Sequence, residues 1–223
     1  MKLKVCGMRD VENISSLLAL KPDFVGFIFY NKSKRFVADF PQIKFPLSIK
    51  KVGVFVNETI EEIVEIVNKY QLDVVQLHGN ETSVFCQKLI EMVTERSRSE
   101  SITNSGISTP LNHQVEIIKA FSVDEHFNFG LTSEYEDCCS YFLFDTKGKN
   151  YGGNGVKFNW EILQKYKGNV PFLLSGGISK IDIVEIQNIQ HSKFAGVDIN
   201  SGFEIEPAMK DIKEIKEFKS NLV

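Results

Sequence analysis

At 223 residues, with 43% hydrophobic and 25% charged residues, the chain has the composition of an ordinary globular protein, which excludes wholesale disorder and a membrane-embedded body. Lys and Arg (26) nearly balance Asp and Glu (29), so the broad basic field that holds nucleic acid is missing and so is an acidic tail. A small-molecule ligand is therefore favoured over a nucleic acid or a membrane surface, and the length suits one domain over 1–223 built on a single core.

In chain order, Met1-Lys2-Leu3-Lys4-Val5-Cys6 runs directly into a strand pattern, which predicts no secretory leader, and no later segment is apolar enough to span a bilayer. The four cysteines, Cys6, Cys86, Cys138 and Cys139, form no C-x-x-C pair and have no histidine at zinc-ligand spacing. Free thiols, a reducing cytoplasmic compartment and no metal site are the expectation.

Short β-branched runs beginning near Lys2, Phe24, Lys51, Asp73, Val115, Tyr141, Pro171 and Phe194 predict eight strands, most of them followed by an amphipathic stretch. Asp10 is placed to cap a helix carrying Val11, Ile14, Leu17 and Leu18. Thr59 with Glu62 reads as a capping box ahead of Ile60, Ile63, Val64 and Val67. Ser179 suits the start of a helix with Val184, and Pro207 suits the first turn of the last helix. Asp39 to Ser48 is short and proline-interrupted, and Asp124 to Ser140 lacks a clean helical period, so irregular or very short helices are expected there. Thr94 to Gln114, rich in Ser, Thr and Asn, reads as a surface insertion at 94–114. Alternating strand and helix implies parallel strands with right-handed crossovers, and eight such units can close into a (β/α)8 TIM barrel. An open doubly wound sheet is the alternative. The barrel is preferred because candidate functional residues fall at the ends of many different strands, and only a closed ring brings those ends to one mouth.

Cys6 ends the first strand beside Gly7, a position for chemistry as well as for an inert buried thiol. Asp145 ends the apolar run Tyr141-Phe142-Leu143-Phe144, where a carboxylate is costly to bury without a task or a partner; a turn-capping role ahead of Thr146 is the other reading. The glycine-rich, basic stretch Lys147 to Gly155 has the character of a mobile loop over an anionic ligand and matches no nucleotide fingerprint. Ser175-Gly176-Gly177 after the seventh strand, with Asp198-Ile199-Asn200-Ser201-Gly202 after the eighth, suits a phosphate cradle of exposed backbone N–H groups. Arg35, above the second strand, could clamp a carboxylate or simply be solvated. Gln76 and His78, two residues apart on a strand, should share a face, with His78 either orienting neighbours or transferring protons. His113, His126 and His191 carry no signal.

Lys4-Val5-Cys6-Gly7, Gly26-Phe27-Ile28-Phe29, Ser33-Lys34-Arg35-Phe36-Val37, Val52-Gly53-Val54-Phe55 and Val75-Gln76-Leu77-His78-Gly79 together resemble the phosphoribosylanthranilate isomerase family. The resemblance continues through Phe144-Asp145-Thr146-Lys147-Gly148, Tyr151-Gly152-Gly153 with Gly155, Ser175-Gly176-Gly177, and Gly196-Val197-Asp198 to Ser201-Gly202, so it covers the chain from end to end. It implies a cofactor-free isomerase of tryptophan biosynthesis. On this resemblance Cys6 is the general base, its pKa lowered by nearby positive charge such as Arg35 or by the iminium intermediate itself, and Asp145 is the general acid, kept protonated by desolvation beside Phe144. Arg35 holds the anthranilate carboxylate, and Gly177 with the Asp198 to Gly202 loop holds the phosphate. Asn31 and Lys34 stand where the family commonly has prolines, Ala208 where a glycine is usual, and the 94–114 segment is atypical. Another phosphosugar barrel, such as an aminoaldose isomerase of histidine synthesis or a ribulose-phosphate epimerase, is the enzymatic alternative; a non-catalytic phosphate binder is the other. Sequence leaves monomer or homodimer open.

Overall fold

A computed structural model describes residues 1–103, 115–146 and 157–222. Eight parallel strands form a closed barrel in chain order: β1 (Lys2–Val5), β2 (Phe24–Ile28), β3 (Lys50–Phe55), β4 (Val74–Leu77), β5 (Glu116–Val123), β6 (Tyr141–Thr146), β7 (Phe172–Leu174) and β8 (Phe194–Ile199). Closure is made by β8 pairing with β1, in a register that sets Lys4 opposite Asp198 and Val5 opposite Ile199. This pairing rules out the open sheet, and every strand begins within a residue of its sequence-based expectation.

Side chains alternate across each strand and so divide the core in two. Cys6, Phe24, Val52, Val54, Val74, Ile118, Ala120, Leu143 and Leu173 fill the barrel interior. Val5, Val25, Phe27, Phe55, Val75, Leu77, Phe142, Phe144, Val197 and Ile199 face outward, toward the helices and loops that surround the barrel. Helix α1 (Val11–Leu18) starts where Asp10 accepts the Asn13 N–H at 2.8 Å, and it buries Ile14, Leu17 and Leu18. Helix α2 (Ile60–Tyr70) starts at Thr59, which accepts the Glu62 N–H, and it buries Ile63, Val64 and Val67. Each such cap contributes about 1 kcal/mol.

The segment between β2 and β3 contains no helix. Its prolines, Pro41 and Pro46, withhold backbone donors, and its aromatic side chains cover the barrel instead: Phe40 and Phe45 pack on Phe27, with ring centroids 4.7 and 5.9 Å apart. Between β5 and β6 there is only the 3₁₀ segment Phe129–Tyr135, as the weak helical period there predicted.

Helix α3 (Ser83–Thr103) runs through the first half of the 94–114 segment, where Glu95, Arg96, Arg98 and Glu100 are good helix formers; residues 104–114 lie outside the described residues. Ser179 forms a capping box with Asp182 at the start of a short 3₁₀ turn (Lys180–Asp182) that leads into helix α4 (Ile183–Gln187), where Val184 is exposed and Ile186 is the residue that packs inward. One expectation is corrected. Pro207 does not open the last helix. It sits in a small antiparallel hairpin of β9 (Glu204–Glu206) and β10 (Met209–Lys210), turned by Ala208 at φ +72°, and α5 (Ile212–Asn221) begins only after its cap, Asp211. No helix among the described residues is long and apolar enough to cross a membrane.

Candidate active site

A cavity of about 650 Å³ opens where the strands end at their carboxyl termini, and every site residue picked out from the sequence lines it. Cys6 comes directly after β1, Arg35 from the loop after β2, Gln76 from β4 and His78 from the residue that follows it, and Asp145 from β6. Gly176 and Gly177 follow β7, while Asp198, Asn200, Ser201 and Gly202 come from β8 and the turn beyond it. The volume is that of a site for one small ligand. The Lys147 to Gly155 loop lies outside the described residues.

The Cys6 thiol is buried and inward-facing, and it fits because Gly26 on the neighbouring strand has no side chain: a Cβ there would stand 2.8 Å from the sulfur. One inward position below, Lys4 is fully buried and paired with Asp198 at 2.9 Å. Burial pushes the Cys6 thiol above its ordinary pKa; Lys4 pulls it down, Asp198 pushes it up again, and the net shift is upward. Desolvation outweighs the neighbouring cations Lys4 and Lys210. Burial also works against the charge on Lys4, but Asp198 and Cys6 more than offset it and leave that pKa raised. Asp198 Oδ1 accepts from Lys4 Nζ.

Gln76, His78 and Asp145 form a chain of hydrogen bonds. Gln76 Nε2 lies 2.8 Å from His78 Nδ1, and His78 Nε2 lies 3.1 Å from Asp145 Oδ2. With the amide donating to Nδ1, a neutral His78 carries its proton on Nε2 and donates to Asp145. Asp145 Oδ1 in turn accepts the Thr146 N–H at 3.0 Å. His78 therefore orients the carboxyl from just beyond β4, and Gln76 fixes the orientation of His78.

Arg35 is not a free clamp. Its Nε and Nη2 donate to the two oxygens of Glu204 at 2.7 and 2.6 Å, and Glu204 also accepts from Lys210 Nζ and from the Ala208 N–H. Lys210, fully buried at its ammonium end, donates to Asn200 as well, at 2.7 Å. Burial alone would raise Glu204, but the hydrogen bonds and charges of Arg35 and Lys210 hold its carboxyl below the ordinary range. Two of the five guanidinium donors are used in this pairing. The loop that carries Arg35 is pinned beside β2 by the Val37 N–H, which donates to Ile28 O.

Sequence reasoning missed Lys4, Glu204 and Lys210. The inward register of Lys4, two residues before Cys6, was a usable signal; the other two depend on a hairpin that only the folded chain reveals.

Gly176 and Gly177 adopt φ +94° and +67°, a turn that directs backbone toward the cavity and that other residues reach only with strain. The 3₁₀ turn Ser201–Phe203 presses against it, leaving no room for a side chain on Gly202 beside Ile178 O. Of the remaining histidines, His191 is structural: its Nε2 lies 3.0 Å from Tyr166 O.

A closed (β/α)8 barrel with an inward thiol, a carboxyl group and a glycine turn around one carboxyl-terminal mouth defines a barrel enzyme of the phosphosugar-handling class. The profile of the N-(5'-phosphoribosyl)anthranilate (PRA) isomerase family matches residues 3–105 and 98–221. The N-(5'-phosphoribosyl)anthranilate isomerase of Parabacteroides distasonis is 46% identical over 98% of this chain and 91% of its own. The crystal structure of phosphoribosyl anthranilate isomerase from Thermotoga maritima superposes with a TM-score of 0.75 at 29% identity, covering 100% of this chain and 98% of that one. A structure of phosphoribosyl anthranilate isomerase in complex with reduced 1-(o-carboxyphenylamino)-1-deoxyribulose 5-phosphate gives a TM-score of 0.72 at 28% identity over the same shares. The chain belongs to the phosphoribosylanthranilate isomerase family and is an isomerase of tryptophan biosynthesis.

Proposed function

We propose that the chain, working as one barrel domain without a cofactor, converts N-(5′-phosphoribosyl)anthranilate to 1-(o-carboxyphenylamino)-1-deoxyribulose 5-phosphate, with Cys6 as general base and Asp145 as general acid. The observation that carries this reading is one cavity shared by a buried thiol, a histidine-oriented carboxyl, a positive-φ glycine turn and an arginine loop. The ligand of the solved relative carries the two anionic groups, carboxylate and phosphate, that such a cavity suits.

Asp145 gives a proton to the furanose ring oxygen as the C1–O bond breaks, and the anilino nitrogen lone pair becomes the C1=N bond of an iminium. Cys6, as thiolate, takes the proton from C2. The C2–H electrons form C1=C2 while the iminium π pair returns to nitrogen. The enol then loses its hydroxyl proton and C1 gains one, giving the ketose. Atoms and electrons balance without any redox partner. Each proton-transfer role is worth about 10² to 10⁴ in rate. Lys4 beneath Cys6 and the cationic iminium above it favour the thiolate against the cost of burial. His78 orients Asp145 and Gln76 orients His78, Arg35 meets the anthranilate carboxylate, and the Gly176–Gly177 turn with Asn200, Ser201 and Gly202 receives the phosphate. Asp198 acts through Lys4.

The test is the loss of substrate fluorescence as the purified protein consumes phosphoribosylanthranilate formed in place from anthranilate and phosphoribosyl pyrophosphate. Cys6→Ala and Asp145→Asn should each lose most turnover yet keep affinity for a phosphorylated product analogue. Wild-type rates in either variant would remove its assigned role, and no fluorescence loss with the folded wild-type chain would remove the substrate.

A further inference from the structure

Outside the barrel lies a second concentration of reactive side chains. Cys86, in the first turn of α3, meets the neighbouring Cys138 and Cys139 from the segment between the 3₁₀ turn Phe129–Tyr135 and β6. All three are buried in the outer core layer, and their sulfurs lie within 4.8 Å of one another. The Cys138 and Cys139 sulfurs are 4.0 Å apart. Adjacent residues in an extended chain point to opposite sides, but here the N–H groups of both cysteines turn back to Tyr135 O at 3.2 and 3.1 Å, and this local turn brings both thiols together. Tyr135 also reaches toward the α3 side of the cluster, its hydroxyl donating to Glu81 O at 3.0 Å. The cluster lines no part of the catalytic cavity, and the proposed mechanism does not use it.

The geometry points to a three-coordinate thiolate site for one soft monovalent cation, cuprous ion, formed by Cys86, Cys138 and Cys139. A planar three-coordinate ion with metal–sulfur bonds of about 2.3 Å holds its sulfurs about 4.0 Å apart, which is the spacing of the Cys138–Cys139 pair. Thiolates select soft ions such as Cu(I). Zinc in a structural site asks for a fourth ligand, and among the described residues no His, Asp or Glu joins the three sulfurs within the same reach. Cys86 is fully buried, and Cys138 and Cys139 are 6% and 9% exposed. Each thiol that binds as thiolate releases its proton to solvent. The ion would tie α3 to the chain entering β6. Sequence spacing could not suggest the site, since its ligands come from separate elements and follow no zinc motif.

The experiment is anaerobic titration of the reduced, full-length protein with cuprous bicinchoninate, following loss of the chelator's colour and the rise of thiolate-to-copper absorption, with Tm measured before and after loading. One Cu(I) per chain is expected in the wild type and in Cys6→Ala, with a raised Tm. Cys86→Ala and Cys139→Ser should lose that equivalent and its Tm rise while keeping isomerase activity, which shows that they are folded. Undiminished uptake in both active variants would overturn the site. So would absence of uptake by the wild type, or dependence of uptake on Cys6.

Discussion

Glu204 holds Arg35 by two arms of its guanidinium, at 2.7 and 2.6 Å, and so joins the loop above β2 to the hairpin after β8. The same carboxylate neutralises the buried Lys210. Removing it leaves a buried ammonium without its counter-ion, a change that typically costs about 3 kcal/mol or more. Glu204→Gln should therefore lower stability by about 3 kcal/mol and raise KM more than it lowers kcat, because Arg35 loses its support. The pH dependence has a definite sign. The Glu204 carboxyl is held below its ordinary range, so its contribution is present above the ordinary glutamate pKa and is lost as pH falls through the depressed value. Urea unfolding midpoints between neutral and acid pH should fall less steeply in Glu204→Gln than in the wild type; parallel curves would show that this carboxyl is not the acid-sensitive group.

Lys4 and Asp198 form a buried pair directly beneath the proposed base. Lys4→Met should destabilise the barrel by about 3 kcal/mol by stranding Asp198, while Lys4→Met with Asp198→Leu, which removes both charges, should recover most of that loss. Activity is expected to behave differently. Burial already places the Cys6 thiol above its ordinary pKa, so kcat/KM should rise with pH as the thiolate forms, and without Lys4 that rise should move to still higher pH. An unmoved pH profile in the single variant Lys4→Met would show that Lys4 serves stability alone, whereas in the double variant the opposed effects of Lys4 and Asp198 on the thiol should largely cancel.

Much of this architecture was legible because the signals are local. Each strand is a β-branched or aromatic run, and residues such as Cys6 and Asp145 stand out because polar or reactive groups end apolar runs. The rest depends on partners distant in sequence. Pro207 reads as a helix start, yet Ala208 at φ +72° and Glu204, which accepts its N–H at 3.1 Å, make a hairpin there. Arg35 reads as a free cation because nothing in its own segment reveals Glu204. Thr94 to Gln114 reads as a poorly ordered surface insertion from its Ser, Thr and Asn content, and within it the interspersed Glu and Arg carry α3 on to Thr103. Cys86 is separated from Cys138 by the rest of α3, β5 and the 3₁₀ segment Phe129–Tyr135, and only the packing of α3 brings them together.

His78 touches Asp145 at 3.1 Å and Gln76 at 2.8 Å, and it is expected to act by position. His78→Ala should lower kcat with little change in KM, and by less than the 10² to 10⁴ or so expected for losing the acid itself. His78→Asn, which retains a donor, should recover part of the rate. Gln76→Leu removes the amide that fixes the ring and should produce a smaller loss of kcat than His78→Ala. A fall in His78→Ala as deep as that of Asp145→Asn would make the histidine a proton-transfer group in its own right.

The two glycines after β7 should separate binding from catalysis. Both hold positive φ, so an alanine at either costs about 1 to 2 kcal/mol of backbone strain. At Gly177 the effect should fall on the cradle: Gly177→Ala should raise KM and weaken inhibition by inorganic phosphate while kcat changes little. At Gly176 a Cβ would stand 2.5 Å from the backbone nitrogen of Thr146, which donates to Asp145 Oδ1. Gly176→Ala should therefore displace the acid and reduce kcat as well as raise KM. Steady-state kinetics on the two variants decide the matter. A kcat defect confined to Gly177→Ala would reverse the assignment, because it would place the proton-donating carboxyl under the control of the phosphate turn and not of the Thr146 contact.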